Sequence, residues 1–192
     1  DGRATPSWRG RSHFWRGRLR YGRGAYGAAA EDYLVSSEVD PWACERLHGR
    51  VSAASALMEA GELARARAMA EGAADGARAR RLPFHEARAT WVARASQYRL
   101  DPSGMRPDLA LAEAAVQVAR DQGVLLCLSE ASVACRRRDA AALRVINDLH
   151  QRVAHPTVER LGSPLIEAMA HDVVAPLPPA QAEAVLGRAL GG

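Results

Sequence analysis

Gly24-Ala25-Tyr26-Gly27-Ala28-Ala29-Ala30-Glu31-Asp32-Tyr33-Leu34-Val35-Ser36-Ser37-Glu38-Val39-Asp40-Pro41 is the stretch on which the fold turns. A glycine opens it, and Tyr26, Ala29, Tyr33 and Ser36 follow at intervals that fall on one side of a helix before Pro41 stops it. The same frame returns more loosely at Gly61, Leu63, Ala66, Ala70 and Ala73, with Arg78 where the proline would stand. The second copy is displaced by slightly more than one unit because of an insertion near Pro41-Trp42. Self-similarity at such a period predicts helical units that bury their apolar stripes only by stacking on their neighbours.

Upstream of each frame stands a small residue, Gly17 in the first copy and Ala54 in the second. Together these positions resemble the tetratricopeptide repeat, a helix-turn-helix unit of about 34 residues. Two looser hairpins follow, residues 83–99 with 108–122 and residues 124–137 with 139–155. In the first of them Leu111, Ala114 and Val118 keep the spacing of a second helix, although the loop at Asp101-Pro102-Ser103-Gly104 is longer than the family turn. Asp108, after Pro107 and before Leu109-Ala110-Leu111, reads as an N-cap, and Gly123 as a stop. Residues 157–171 and 179–190, separated by Pro176-Leu177-Pro178, read as a capping pair. The expected organisation is a basic arm over residues 1–12, tetratricopeptide-like repeats over 13–155 and capping helices over 156–192. The expected fold is all-α, and the resemblance implies an α-solenoid of antiparallel helical hairpins with a right-handed superhelix.

Composition agrees. The 192 residues are rich in Ala and poor in aromatics, at 5%, which favours helices packed through small side chains. All 26 basic residues are Arg, so reactions that need a lysine amine, such as Schiff-base formation or a Walker-type phosphate grip, have no candidate residue. Abundant Ala, Gly and Arg suggest a GC-rich, bacterial source. Cys44, Cys127 and Cys135 form no CxxC pair and are expected to be buried and reduced. No run reaches the length of an apolar membrane span, and a cytoplasmic protein without cofactor or membrane contact is expected.

The tetratricopeptide resemblance implies a concave surface lined by first helices, used to hold a peptide or a partner domain. The positions placed there, and expected to be exposed, are Arg11, Phe14, Arg18, Tyr21, His48, Val51, Ser55 and Glu59. Phe14 and Val51 stand where chaperone-binding members carry a cation, so chaperone-tail binding is not expected. The function implied is a scaffold or sensor module that binds a protein, a peptide or another domain of its own chain within a larger bacterial regulatory protein.

The rival reading is nucleic-acid binding by residues 1–26. Arg3, Arg9, Arg11, Arg16, Arg18, Arg20 and Arg23 lie there among Trp8, Phe14, Trp15, Tyr21 and Tyr26, a mixture suited to phosphate contacts and stacking. The pairs Arg9-Gly10, Arg16-Gly17 and Arg23-Gly24 recur every seven residues, but Gly17 and Gly24 already belong to the repeat frame. His85-Glu86 begins like a zinc-protease HExxH and then carries Ala89 at the second ligand position, so a metal site is not expected. His48, His150, His155 and His171 show no ligand spacing and are expected on the surface or in the groove. Ser103-Gly104 and Ser163-Pro164 lack the context of a nucleophile elbow, and Glu31-Asp32 diverge on a helix. With no nucleophile-base or acid-base set, the chain is expected not to be an enzyme.

Overall fold

The computed structural model describes residues 6–118, 130, 131, 133, 134 and 136–152. Seven helices are defined among them: α1 (Pro6–Gly22), α2 (Tyr26–Val39), α3 (Ala43–Glu59), α4 (Leu63–Ala79), α5 (Pro83–Leu100), α6 (Leu109–Val118) and α7 (Ala140–Arg152). No strand occurs among the described residues. The proposed capping helices, Gly123, Cys127, Cys135, His155 and His171 lie outside them, as does the side chain of His150.

Two compact units divide the chain at Leu100 and Asp101, where the sequence suggested one continuous array over 13–155. In the first unit each helix packs on the next, and α3 also packs on α5. Helix α1 begins at Pro6, so residues 6–12 belong to a helix rather than to an arm. Arg16 and Tyr21 lie within it, as the repeat frame requires.

Alanine dominates the first core. Ala29, Ala54, Ala66, Ala70 and Ala73 of the repeat frames are buried there with Tyr33, Leu57 and Val92. Small side chains bring helix backbones together, and the approach is close at Gly17 and Gly49. A Cβ on Gly17 would stand 2.9 Å from ring carbons of Tyr33, and one on Gly49 would stand 3.0 Å from the Tyr33 carbonyl oxygen.

One C-terminal cap recurs. Gly24 has φ +77° and Gly61 φ +83°, and the amides that follow donate to carbonyls five residues back, Ala25 to Arg20 and Glu62 to Leu57, both at 2.9 Å. These are Schellman turns, in which a left-handed residue satisfies the orphan carbonyls of a helix end. The same bond closes at Leu82 to Ala77, 3.0 Å, and at Asp139 to Ala134, 2.9 Å. There the left-handed residues are Arg81, φ 54°, and Arg138, φ 56°, which carry the Cβ strain that glycine avoids.

In the second unit α6 packs on α7 around Ala112, Ala131, Ala134, Leu143, Ile146 and Leu149. Asp108 caps α6 as expected, accepting from the Leu111 amide at 3.0 Å, and Asp139 caps α7 in the same way through Ala142 at 3.0 Å. The fully buried Glu130 accepts the Asp108 amide at 2.8 Å. Arg137 donates to the Met105 carbonyl at 3.2 Å, tying the long loop after Asp101 to this core.

Candidate functional site

Helices α1, α3 and α5 of the first unit are linked by a row of rings. Phe14 of α1 contacts Tyr33 of α2, with centroids 5.2 Å apart, and His48 of α3 at 4.8 Å; His48 meets His85 of α5 at 5.7 Å, and His85 meets Phe84 at 5.5 Å. Burial and the positive charge of Arg88 hold the His48 imidazole down to a pKa of about 4 and push His85 down as well. Both are neutral near pH 7. The Nδ1 atom of His85 is buried without a partner among the described residues.

Arg88 reaches into this row from α5. Its guanidinium donates to the Ser52 hydroxyl at 3.4 Å. No carboxylate among the described residues pairs with it. Desolvation and the nearby Arg18 lower its proton affinity, while Tyr33 and Tyr21 oppose them. A guanidinium keeps its proton in any protein environment, so this is a partly buried cation without a counter-charge among the described residues. Burial also raises the phenols of Tyr21 and Tyr33 above the ordinary tyrosine value, so both remain neutral hydroxyls. At the far end Arg99 of α5 joins α3, donating to the Met58 carbonyl at 3.1 Å and pairing with Glu59 at 3.6 Å.

The eight positions expected on this face divide. Phe14, Tyr21, His48 and Glu59 are half-buried along the ring row or at its end. Arg11 and Arg18 are exposed on α1, Arg18 with its guanidinium carbon 5.3 Å over the Trp15 ring. Val51 and Ser55, expected exposed, are buried at 0% and 6%. The Ser55 hydroxyl donates to the Val51 carbonyl at 3.0 Å within the helix. Neither can touch a partner, because α3 sits between α2 on one side and α4 and α5 on the other and turns nearly every position from Val51 to Met58 inward.

Sequence reasoning missed Arg88 and Ser52 and weighed His85 only as a metal ligand. The signal was present in the third first helix, 83–99, onto which the repeat frame was not carried. Among the described residues no three His, Cys, Asp or Glu side chains converge as a metal set. Cys44, expected buried, is exposed, because it lies in the first turn of α3, before the helix enters the core.

The basic segment is also partitioned by the fold. Asp32 of α2, 2% exposed, receives Nε of Arg16 at 2.9 and 3.0 Å, Nη1 of Arg20 at 2.9 Å and the His13 ring at 3.5 Å. Burial alone would raise this carboxyl, but the hydrogen bonds and charge of Arg16, then His13 and Arg20, outweigh it and hold it below the ordinary aspartate value. Two of the segment's arginines thus neutralise an internal acid. Trp8 and Trp15 remain exposed at 64% and 58%.

A shallow cleft of about 430 Å³ is lined by Leu34, Met69 and Ala73 beside Arg50 and Arg65. Arg65 is paired with Glu62, and the cleft gathers no acid-base set. No helix among the described residues is long and apolar enough to cross a membrane. Compared with family models, curated proteins and solved structures, the chain matches none.

Proposed function

We propose that this chain is a protein-protein interaction module, a scaffold or sensor within a larger bacterial regulatory protein. Its first unit holds a partner segment, or another domain of its own chain, along the face of α1, α3 and α5. In this reading the hairpins stack antiparallel as a tetratricopeptide-like α-solenoid, and the ring row lies in its groove. One observation carries the proposal: Arg88 is a partly buried cation with no described carboxylate partner, set among the neutral rings of His48 and His85 and the hydroxyls of Ser52, Tyr21 and Tyr33. Burying a charge without its counter-charge costs free energy that a bound carboxylate would offset. Phe14 and the two neutral imidazoles offer flat ring surface along the same row, of the kind on which peptide anchors pack.

Selection of displayed random peptides on the folded protein tests this. Enrichment of Asp- or Glu-containing peptides that fail to bind the Arg88→Gln variant is the expected result. Selected peptides without acidic residues, or with equal affinity for Arg88→Gln, would sink the proposal. The sequence alternative, nucleic-acid contact through residues 1–26, draws support from exposed Trp8 and Trp15 beside Arg9, Arg11 and Arg23. Against it, Asp32 engages both Arg16 and Arg20 and offsets one of their two charges. Tight RNA binding with a steep salt dependence would carry that alternative.

A further inference from the structure

Helix α1 is written as a seven-residue repeat. Trp8-Arg9-Gly10-Arg11-Ser12-His13-Phe14 is followed by Trp15-Arg16-Gly17-Arg18-Leu19-Arg20-Tyr21. A seven-residue period keeps each position of the repeat on one stripe of a helix. Here the stripes fall on two opposite faces.

The inner face is used by the fold. Gly10 and Gly17 are buried, where a Cβ would meet Asp40 Oδ2 at 2.8 Å and the Tyr33 ring at 2.9 Å respectively. Phe14 and Tyr21 pack on the core beside them. On the outer face no other described helix packs, and among the described residues only Arg18 lies over the Trp15 ring, its guanidinium carbon 5.3 Å from the centroid. Trp8 is 64% exposed, Trp15 58% and Leu19 62%. With Ser12 between them they occupy positions 8, 12, 15 and 19, the alternating four-and-three spacing of a helix-helix seam. Two indoles and a leucine in line on one helix form the kind of apolar patch that marks an interaction surface.

Both borders of this stripe are basic. Arg11 and Arg18 run along one side and Arg9 and Arg16 along the other, each pair at the seven-residue period. Asp32 takes Arg16, whereas no ion pair among the described residues engages Arg9, Arg11, Arg18 or Arg23. Helix α1 itself contains no acidic residue.

We propose that the outer face of α1 docks an amphipathic helix of a partner protein, one whose apolar seam is flanked by Asp and Glu. Charges beside a helix-helix seam set partner choice, and opposite signs across it steer association and register. A second copy of this chain would set arginine against arginine, so the occupant is a different, acidic helix. A phosphodiester strand or an anionic headgroup layer also attracts arginine. Neither requires Trp8, Ser12, Trp15 and Leu19 in seam register with arginine on both borders; a helix does. At about 1.5 Å per residue the seam from Trp8 to Leu19 runs ~16 Å, which a partner helix of about three turns covers. This surface is separate from the Arg88 row, although Arg18 lies near both; retention of the Glu-flanked peptide by Arg88→Gln separates the two readings.

Two synthetic helical peptides test the assignment, identical in a leucine seam, one flanked by Glu and the other by Lys. Binding to the intact chain is read by fluorescence anisotropy, alongside phosphatidylglycerol vesicles and oligouridylate. The Glu-flanked peptide should bind saturably and weaken with salt, and the Lys-flanked one should not bind. Trp8→Ser with Trp15→Ser should lower affinity by about tenfold or more, since aromatic anchors dominate interfaces. Arg11→Glu with Arg18→Glu should reverse the preference to the Lys-flanked peptide, a reversal that loss of folding cannot produce. Equal binding of the two peptides, unchanged affinity in the tryptophan variant or no reversal in the charge variant would overturn the proposal. So would tighter binding of vesicles or oligouridylate through Trp8 and Trp15, which would reassign the face to lipid or nucleic acid.

Discussion

Replacing Gly49 by Ala isolates the close approach on which the stack of α2 and α3 depends. A Cβ there would lie 3.0 Å from the Ser37 Cβ, 3.0 Å from the Tyr33 carbonyl oxygen and 3.2 Å from the Ser37 Cα. Two of these three neighbours are backbone, so the α2 axis has to move. Two terms compete. Alanine in a helix interior gains about 1 kcal/mol over glycine, and overpacking of a tight contact costs about 1–3 kcal/mol. Gly72, in the middle of α4, serves as the control because its Cβ would meet nothing within 4 Å. There only the propensity gain applies, and Gly72→Ala should stabilise the fold by about 1 kcal/mol. Gly49→Ala should destabilise it by about 1–2 kcal/mol, the upper part of the packing cost less the propensity gain. The two variants should thus differ by about 2–3 kcal/mol, a separation in Tm of about 10–20 °C for a unit near 100 residues. Thermal and urea unfolding followed by helical circular dichroism measures both. If Gly49→Ala is as stable as Gly72→Ala, the contact between α2 and α3 is looser than described and the argument for small-residue seams fails.

Asp32→Ala removes the acid that gathers Arg16, Arg20 and His13; with those partners partly solvent-screened, a loss of about 2 kcal/mol is expected in urea unfolding. Because the folded-state pKa of Asp32 is depressed, its contribution is complete above the ordinary aspartate value and is lost as pH falls through the lower, folded-state value. Asp32→Asn should flatten the stability profile in that acid range. His48 titrates near 4 in the folded chain against 6.5 when unperturbed, so the unfolded chain binds the proton first. Stability should therefore fall as pH drops from 6.5 toward 4, a slope that His48→Gln should reduce in pH-dependent unfolding. Arg81→Gly should stabilise the first unit by about 0.5–1 kcal/mol, because glycine adopts the left-handed turn without the strain that arginine bears there. Unchanged or lowered stability in Arg81→Gly would count against the recurring cap.

Local sequence determined most of the helices and several of their ends. Gly24 and Gly61 terminate α1 and α3, Asp108 caps α6, and the apolar spacing of Ala29, Tyr33, Ala66 and Ala70 names the core face, since propensity, capping and period are short-range effects written in neighbouring residues. Tertiary structure alone decided which of the first-helix positions are available to a partner. Val51 and Ser55 share a helix with His48, yet α3 packs against α2, α4 and α5, and every position from Val51 to Met58 is buried. The same dependence on neighbours explains Arg16 and Arg20. In sequence they are two more cations in a basic run, and Asp32, sixteen residues beyond Arg16 on another helix, converts them into a structural ion pair. Arg88 gains its meaning in the opposite way, because no acid among the described residues pairs with it in a place the fold has half-closed. The division between a packed and an open face on α1 likewise depends on where α2 lies, because a seven-residue repeat prescribes two equivalent stripes and packing chooses between them.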